Sequence, residues 1–265
     1  AGLVEIQEWK PDAQDCSLYE FSLNLQGRKP GTAIYEPTGK IEALINVPRL
    51  GFQDHFLCAY QALTPLHINI RKVTGVFWGQ CMEIGLQEGV DAGNDIILTM
   101  DYDTVFTRQD VEQILRLAEG CPDADAVAPL QSHRSKEGIL ATMLGEGGNK
   151  THTVPWTQFQ PDLQQIATAH FGLTAIKTSA LKKMSHPWFR SEPAPDGTWK
   201  DGEHVDDDIG FWHNFEKAGC KLLMANHVVI GHSELSIRWP GGDMKAVYQH
   251  PQDYYKRGRP AETWH

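Results

Sequence analysis

Three features of the chain combine residue types and spacing suited to polar catalysis. Asp101-Tyr102-Asp103 sets two carboxylates one residue apart. Where the backbone turns, such a pair converges on one hard cation, and Mg²⁺ or Mn²⁺ takes oxygen ligands that substrate phosphates commonly complete. The same triplet also suits a plain turn that caps a helix. Asp206-Asp207-Asp208 is a second acidic run. Carboxylates at a helix start satisfy free N–H groups and complement the helix dipole. Three in a row exceed what capping requires, and their repulsion raises one of them toward the range of a general base. His232 closes the strand-like run 227–231 (HVVIG); a histidine there is a metal ligand or a surface capping residue.

The elements that must carry these groups read as alternating strands and helices. Residues 41–47 (IEALINV) form a first strand, stopped by Pro48. An apolar helix-like segment covers 56–63, and 67–73 is a second strand. Trp78, Cys81, Met82, Gly85 and Leu86 fall at helical spacing, with Gly89 predicted to end that helix. The run 95–100 (DIILTM) is short and almost wholly apolar, as in a parallel strand buried on both faces. It delivers Asp101 and Asp103 to the carboxyl end of a strand, where open α/β sheets bind their ligands. Thr107 and Asp110 have capping-box spacing before Val111, Ile114 and Leu115. Residues 124–130 and 171–176 read as further strands, Ser179 as the cap of a short helix, and 207–218 as a helix closed by Gly219. One or two strands fill 222–230. Residues 144–162 read as a long loop suited to a lid, and 190–203 as another loop. The order predicts an α/β sheet with crossover helices, an irregular extension over 1–35, a main domain over 36–238, and a tail over 239–265 without regular pattern.

Composition narrows the classes. A formal charge of −10 argues against a broad nucleic-acid surface, although a local basic patch fits inside that average. The five cysteines are scattered and never form CxxC, which points to reduced thiols, a cytoplasmic setting and no structural zinc. No apolar run has membrane-spanning length. There is no HExxH, no GxSxG and no Rossmann fingerprint. Residues 145–151 (GEGGNKT) lack the Gly-Lys-Ser/Thr adjacency of a phosphate-binding P-loop.

Taken in order, the segments 41–48, 95–103 (DIILTMDYD), 171–189 (FGLTAIKTSALKKMSHPWF), 207–211 (DDIGF), Ala218-Gly219 and Gly231-His232 resemble the GT-A glycosyltransferases of the large family-2 type. The resemblance spans roughly residues 40–235 and implies a mixed, mainly parallel sheet flanked by helices. It implies transfer of a sugar from a UDP- or GDP-type nucleotide sugar to an acceptor hydroxyl, with Mn²⁺ or Mg²⁺ as cofactor. By that resemblance Asp103 is the main metal ligand, Asp101 contacts ribose or a metal-bound water, and His232 is a further ligand. Asp207-Asp208 stands where the family has Glu-Asp, which makes Asp208 the acceptor base and implies inversion. Pro48, Arg49, Gln80 and Tyr102 are placed near the nucleotide, though Gln80 stands where the family often has Arg-Asn. Trp156 and Trp188 offer flat faces for the acceptor, against the alternative that a tryptophan is core packing.

Other readings stay open at this point. A nucleotidyltransferase also uses paired carboxylates and a divalent cation, and would carry a Gly-rich basic signature near the first strand, of which 47–51 (VPRLG) has a trace. A non-catalytic carbohydrate- or metal-binding module is a third possibility, since fold alone does not fix function. For the acceptor, 47–52 (VPRLGF) with Gly79-Gln80 resembles phage-encoded transferases that decorate hydroxymethylated DNA bases. The basic, aromatic tail agrees with a DNA acceptor and the net charge opposes it.

Overall fold

The strands and helices order themselves around one nine-stranded sheet. The computed structural model describes residues 35–47, 51–134, 138–144, 149–151, 159, 161–200, 203–243 and 245–264. The first half of the sheet comes from β1 (Ile41–Asn46), α1 (Gln53–Leu63), β2 (Asn69–Val73), α2 (Trp78–Asp91), β3 (Ile96–Asp101), β4 (Thr104–Val105), α3 (Arg108–Gly120) and β5 (Ala126–Leu130). The second half adds β6 (Ala141–Leu144), β7 (Lys150–Thr151), β8 (Leu163–Ala169), β9 (Thr174–Lys177), α4 (Thr178–Leu181), α5 (Asp207–Lys217) and β10 (Leu222–Val229). Four further elements follow: β11 (Gly231–His232), β12 (Ile237–Pro240), β13 (Ala246–Gln249) and α6 (Pro251–Arg257).

Strand order in the main sheet is β2-β1-β3-β9-β5-β10-β8-β6-β7. β1 is parallel to β2 and β3, and β5 is parallel to β10, while β9 runs antiparallel between β3 and β5. β8, β6 and β7 continue the sheet with antiparallel pairs. The fold is thus α/β with a mixed sheet flanked by helices. Right-handed crossovers explain the layering: β1-α1-β2 steps outward and β2-α2-β3 steps back past β1, so the two helices lie on opposite faces. α1 accordingly packs on α3, and α2 on β1, β2 and α4.

Burial follows the sequence pattern. β3 is buried from Ile96 to Met100 and β5 throughout, as continuous apolar runs covered on both faces must be. Thr107 caps α3 through the Asp110 N–H while the Asp110 carboxylate takes the Thr107 N–H at 2.7 Å, the reciprocal capping box. Helix α5 ends at Ala218 with Gly219 at φ +75°. An aromatic cluster ties α2 and α5 to the floor of the sheet. Phe171 sits 5.2 Å from Trp78, Phe211 and Trp212, and Phe189 sits 4.7 Å from Phe211 (centroid distances). Such ring pairs each add about 0.5–1.5 kcal/mol beyond buried area.

Four readings are corrected. Gly89 does not end α2; the helix runs to Asp91, and a Cβ at Gly89 would press on Ile97 of β3, so that glycine is there for close packing. The chain turns instead at Gly93, φ +72°. Ser179 lies inside α4, whose cap position is Lys177. β6 and β8 escaped notice: β6 is only four residues long, and LQQIATA carries two glutamines in its less buried half. The segment from Trp239 onward holds a hairpin, β12 with β13, and the helix α6. Most of the expected lid over 144–162 lies outside the described residues.

Candidate active site

The parallel strands β1, β3, β5 and β10 end at one edge of the sheet, and the candidate groups gather there. β3 stops at Asp101, which delivers Tyr102 and Asp103 directly to that edge. Directly after Asp103, β4 pairs with β11, setting His232 opposite Thr104. The Ser233 N–H donates to the Asp103 carbonyl at 2.7 Å. This small clip brings a residue from the end of the chain's last sheet strand alongside Asp103.

Asp103 is buried, at 2% exposure. Its Oδ2 accepts from Arg134 Nη1 at 2.7 Å and lies 3.4 Å from His232 Nε2. His232 Nδ1 faces the Ser132 carbonyl at 3.0 Å. A carbonyl can only accept, so Nδ1 carries the hydrogen, and in the neutral ring the Nε2 lone pair faces a carboxylate oxygen. Two acceptors face one another only with a proton or a cation between them. Burial alone would lower the His232 pKa, but hydrogen bonds to Asp103 and Ser132 outweigh it and the net direction is upward. Asp101 is pushed up to about 7, first by burial and then by repulsion from Asp103, against the pull of His232.

Among the described residues, no three His, Cys, Asp or Glu side chains form a ready cation cage. Asp103 and His232 nevertheless supply one oxygen and one nitrogen donor of the kind Mn²⁺ accepts. Their 3.4 Å separation is that of neighbouring ligands on a single ion with bonds of about 2.1 Å. A site with few protein ligands, completed by water and substrate phosphate, is the usual form for small hard divalent cations. The donor set fits such an ion.

The second acidic cluster opens α5. Asp206 occupies the cap position without a side-chain cap bond, and its Oδ1 lies 3.0 Å from His204 Nε2. The Asp207 carboxylate accepts the Asp208 N–H at 3.1 Å, and that of Asp208 accepts the Ile209 N–H at 2.7 Å. Burial raises the Asp208 pKa to about 6; the Ile209 N–H opposes the rise, and Asp206 and Asp207 add to it by repulsion. The first turn of α5 is fixed from two sides. A Cβ at Gly79 would collide with the Asp207 carboxylate, and one at Gly210 would collide with the Arg190 carbonyl. Only glycine allows either approach. Glu83 of α2 in turn accepts the N–H groups of Trp188 and Phe189 at 2.8 and 3.0 Å, anchoring the segment that leads to Arg190.

Both clusters line one cavity of about 530 Å³. Asp101, Tyr102, Asp103 and His232 face Asp206, Asp207 and Asp208 across it, with Trp78, His170 and Phe171 among its other walls. His170 is buried and takes the Gly172 N–H on Nδ1, so Nε2–H donates to the Pro129 carbonyl at 3.0 Å. Burial lowers its pKa to about 4, and it stays neutral. Tyr102 stacks on Phe52 at 6.1 Å.

The structure does not bring every expected residue here. Gln80 is exposed on α2 and is not among the lining residues. Trp188, expected to stack on an acceptor, is a core residue at 2% exposure, with its ring against His186. It offers no face to a ligand. Pro48, Arg49 and Trp156 lie outside the described residues. Conversely, Arg134, His133 and Asp206 line the cavity without having been singled out as site residues. The signal for the first two was present: 131–134 (QSHR) directly follows a buried parallel strand, as DYD does.

No protein-family model matches the chain, and no curated protein does. Solved structures resemble it distantly. A197 from STIV has a TM-score of 0.45 and 16% identity over 80% of this chain and 94% of that one. GalNAc-T7 with UDP, GalNAc and Mn²⁺ has a TM-score of 0.45 and 12% identity, over 73% of this chain and 44% of that one. The mannosyltransferase PcManGT from Pyrobaculum calidifontis, in complex with GDP-Man and Mn²⁺, has a TM-score of 0.44 and 12% identity, over 78% of this chain and 61% of that one. At this distance the likeness decides neither substrate nor activity.

Proposed function

We propose that this chain is a GT-A-type glycosyltransferase that moves a sugar from a UDP- or GDP-type nucleotide sugar to an acceptor hydroxyl. One observation carries the reading: two carboxylate clusters of different character face each other across a single cavity. One has the donors for a divalent cation, and the other has a carboxyl raised toward neutral pH.

In this reading Asp103 and His232 hold Mn²⁺ or Mg²⁺, with Asp101 beside them toward the ribose. The ion, when bound, neutralises charge that develops on the departing diphosphate. Tyr102, backed by Phe52, borders the nucleotide; Pro48 and Arg49, outside the described residues, are proposed as further nucleotide contacts. Asp208 accepts the proton of the acceptor hydroxyl. The freed oxygen bonds to the anomeric carbon as the bond from that carbon to the phosphate oxygen breaks, and the diphosphate leaves with the electron pair. Attack opposite the leaving group inverts the sugar carbon. A base with a pKa about 6 is ionised at neutral pH and still basic enough to share the proton in the transition state, which is worth roughly 10²–10⁴-fold. The acceptor is a hydroxyl that reaches Asp208; Trp156, outside the described residues, is proposed as an acceptor contact, and a hydroxymethylated DNA base is one candidate acceptor. Among the described residues, no helix is long and apolar enough to cross a membrane.

Calorimetric titration with UDP and with GDP, each with and without Mn²⁺, tests the donor site. Metal-dependent binding of one nucleotide, lost in Asp103→Ala, is expected. Absence of binding by both nucleotides with Mn²⁺ would sink the proposal.

A further inference from the structure

The charged lining of the cavity is mostly acidic, while its proposed guest is an anion. Five carboxylates line it (Asp101, Asp103, Asp206, Asp207 and Asp208), and a nucleoside diphosphate would add at least two further charges. Among the described lining residues, Arg134 is the one Lys or Arg. Its Nη1 lies 2.7 Å from Asp103 Oδ2, the same oxygen that faces His232 Nε2 at 3.4 Å. Arg134 and a cation between Asp103 and His232 therefore compete for one carboxylate oxygen. The Arg134 side chain is 47% exposed, whereas that of Asp103 is 3% exposed, so it is the arginine that has room to move.

We infer that Arg134 is an exchangeable counter-ion: it neutralises Asp103 in the cation-free protein and, displaced by the cation, turns to bind the diphosphate of the donor. The inference rests on the nucleotide-sugar reading and names a donor-binding residue within it. Two physical points support the second position. A guanidinium is a planar fork that meets two phosphate oxygens at once, and its charge is permanent. Once a divalent cation takes Asp103, the arginine would otherwise be left without its partner in a cavity about to receive an anion. The exchange makes cation and nucleotide binding mutually favourable, since each stabilises the arrangement the other needs.

The test is titration of Mn²⁺ alone, then of UDP and GDP at saturating Mn²⁺, on the wild-type chain and on Arg134→Ala, Arg134→Gln and Arg134→Lys. Removing the competing charge is expected to tighten binding of Mn²⁺ alone, by about threefold to tenfold in the Ala and Gln variants. The same two variants are expected to bind the nucleotide about tenfold more weakly or worse, with Lys between them and wild type. Opposite movement of the two affinities is the signature, and a merely structural arginine would weaken both. Unchanged nucleotide affinity in Ala and Gln, with the wild type binding normally, would overturn the diphosphate role. If the wild type itself binds neither nucleotide with Mn²⁺, the proposed function fails and the diphosphate role fails with it. In that case Mn²⁺ affinity unchanged by Arg134→Ala would overturn the exchange as well.

Discussion

The two acidic clusters are made of the same residue and sit on the same cavity, yet their aspartates meet different partners. At the end of β3, Asp103 is sealed from solvent and faced by cationic or cation-seeking groups, Arg134 at 2.7 Å and His232 at 3.4 Å. At the start of α5, Asp208 has two carboxylates for neighbours and a single backbone N–H as the donor to its Oδ1. The first surroundings set Asp103 against Arg134 and His232. The second favour a carboxyl that takes up a proton easily. Difference of role therefore comes from the element that presents the aspartate: a strand end clipped to another strand, or a helix start in an acidic run.

The sharpest way to break this comparison is Asp208→Asn. Turnover should fall by roughly 10²–10⁴-fold while Mn²⁺-dependent nucleotide binding is retained, as read by initial rates and calorimetry. In the wild type, the rate should fall about tenfold per pH unit below about 6, where Asp208 protonates. Equal loss of nucleotide binding in the variant would erase the distinction between the clusters. His232→Ala probes the other side. Mn²⁺ affinity should drop by on the order of 10–100-fold, with the acid limb of the pH–rate profile unmoved at saturating Mn²⁺.

Stability gives a smaller and independent reading. The Asp208 pKa is raised in the folded chain, so its protonated form favours folding. That contribution is whole below the unfolded carboxylate range and is lost as pH rises through about 6. Asp208→Asn, which never ionises, should be more stable than wild type at pH 8 by about 1–3 kcal/mol, a gain that vanishes near pH 4. Thermal melts at the two pH values check it. The smallest effect is expected from Asp206→Asn. With one repelling neighbour gone, the acid limb of the pH–rate profile should move to lower pH, with little change in maximal rate.

How far these clusters were legible in the sequence depended on how local their causes are. Asp101 and Asp103 were legible because a continuous apolar run announces a buried strand and its end is where the triplet stands. Asp207 and Asp208 were legible because an acidic run opened a periodic helix with Gly219 at its close. His232 came from the order of motifs; its partnership with Asp103 depends on the β4–β11 clip, between segments far apart in the chain. Arg134 had a positional signal, since QSHR follows the buried strand β5, but its pairing with Asp103 shows only in the fold. Trp188 and Gly89 were misread for one shared reason. A large ring and a missing side chain both suit a ligand or a turn, but each also suits tight packing, and composition does not tell these apart. The antiparallel strand β8 was missed because the two glutamines near its start mask the apolar, buried half.

The segment between Arg190 and Asp206 is pinned at both its margins. Glu83 grips the backbone just before it, Glu192 and Val205 bridge across its base, and Gly210 docks on the Arg190 carbonyl. Within it, His204 adds a further contact to Asp206 at the cap of α5. The position of Asp208 is therefore set from α2 and from the Arg190 backbone, two parts of the chain far from it in sequence, so a change at Gly79 or Glu83 reaches the start of α5 without touching any residue of that helix.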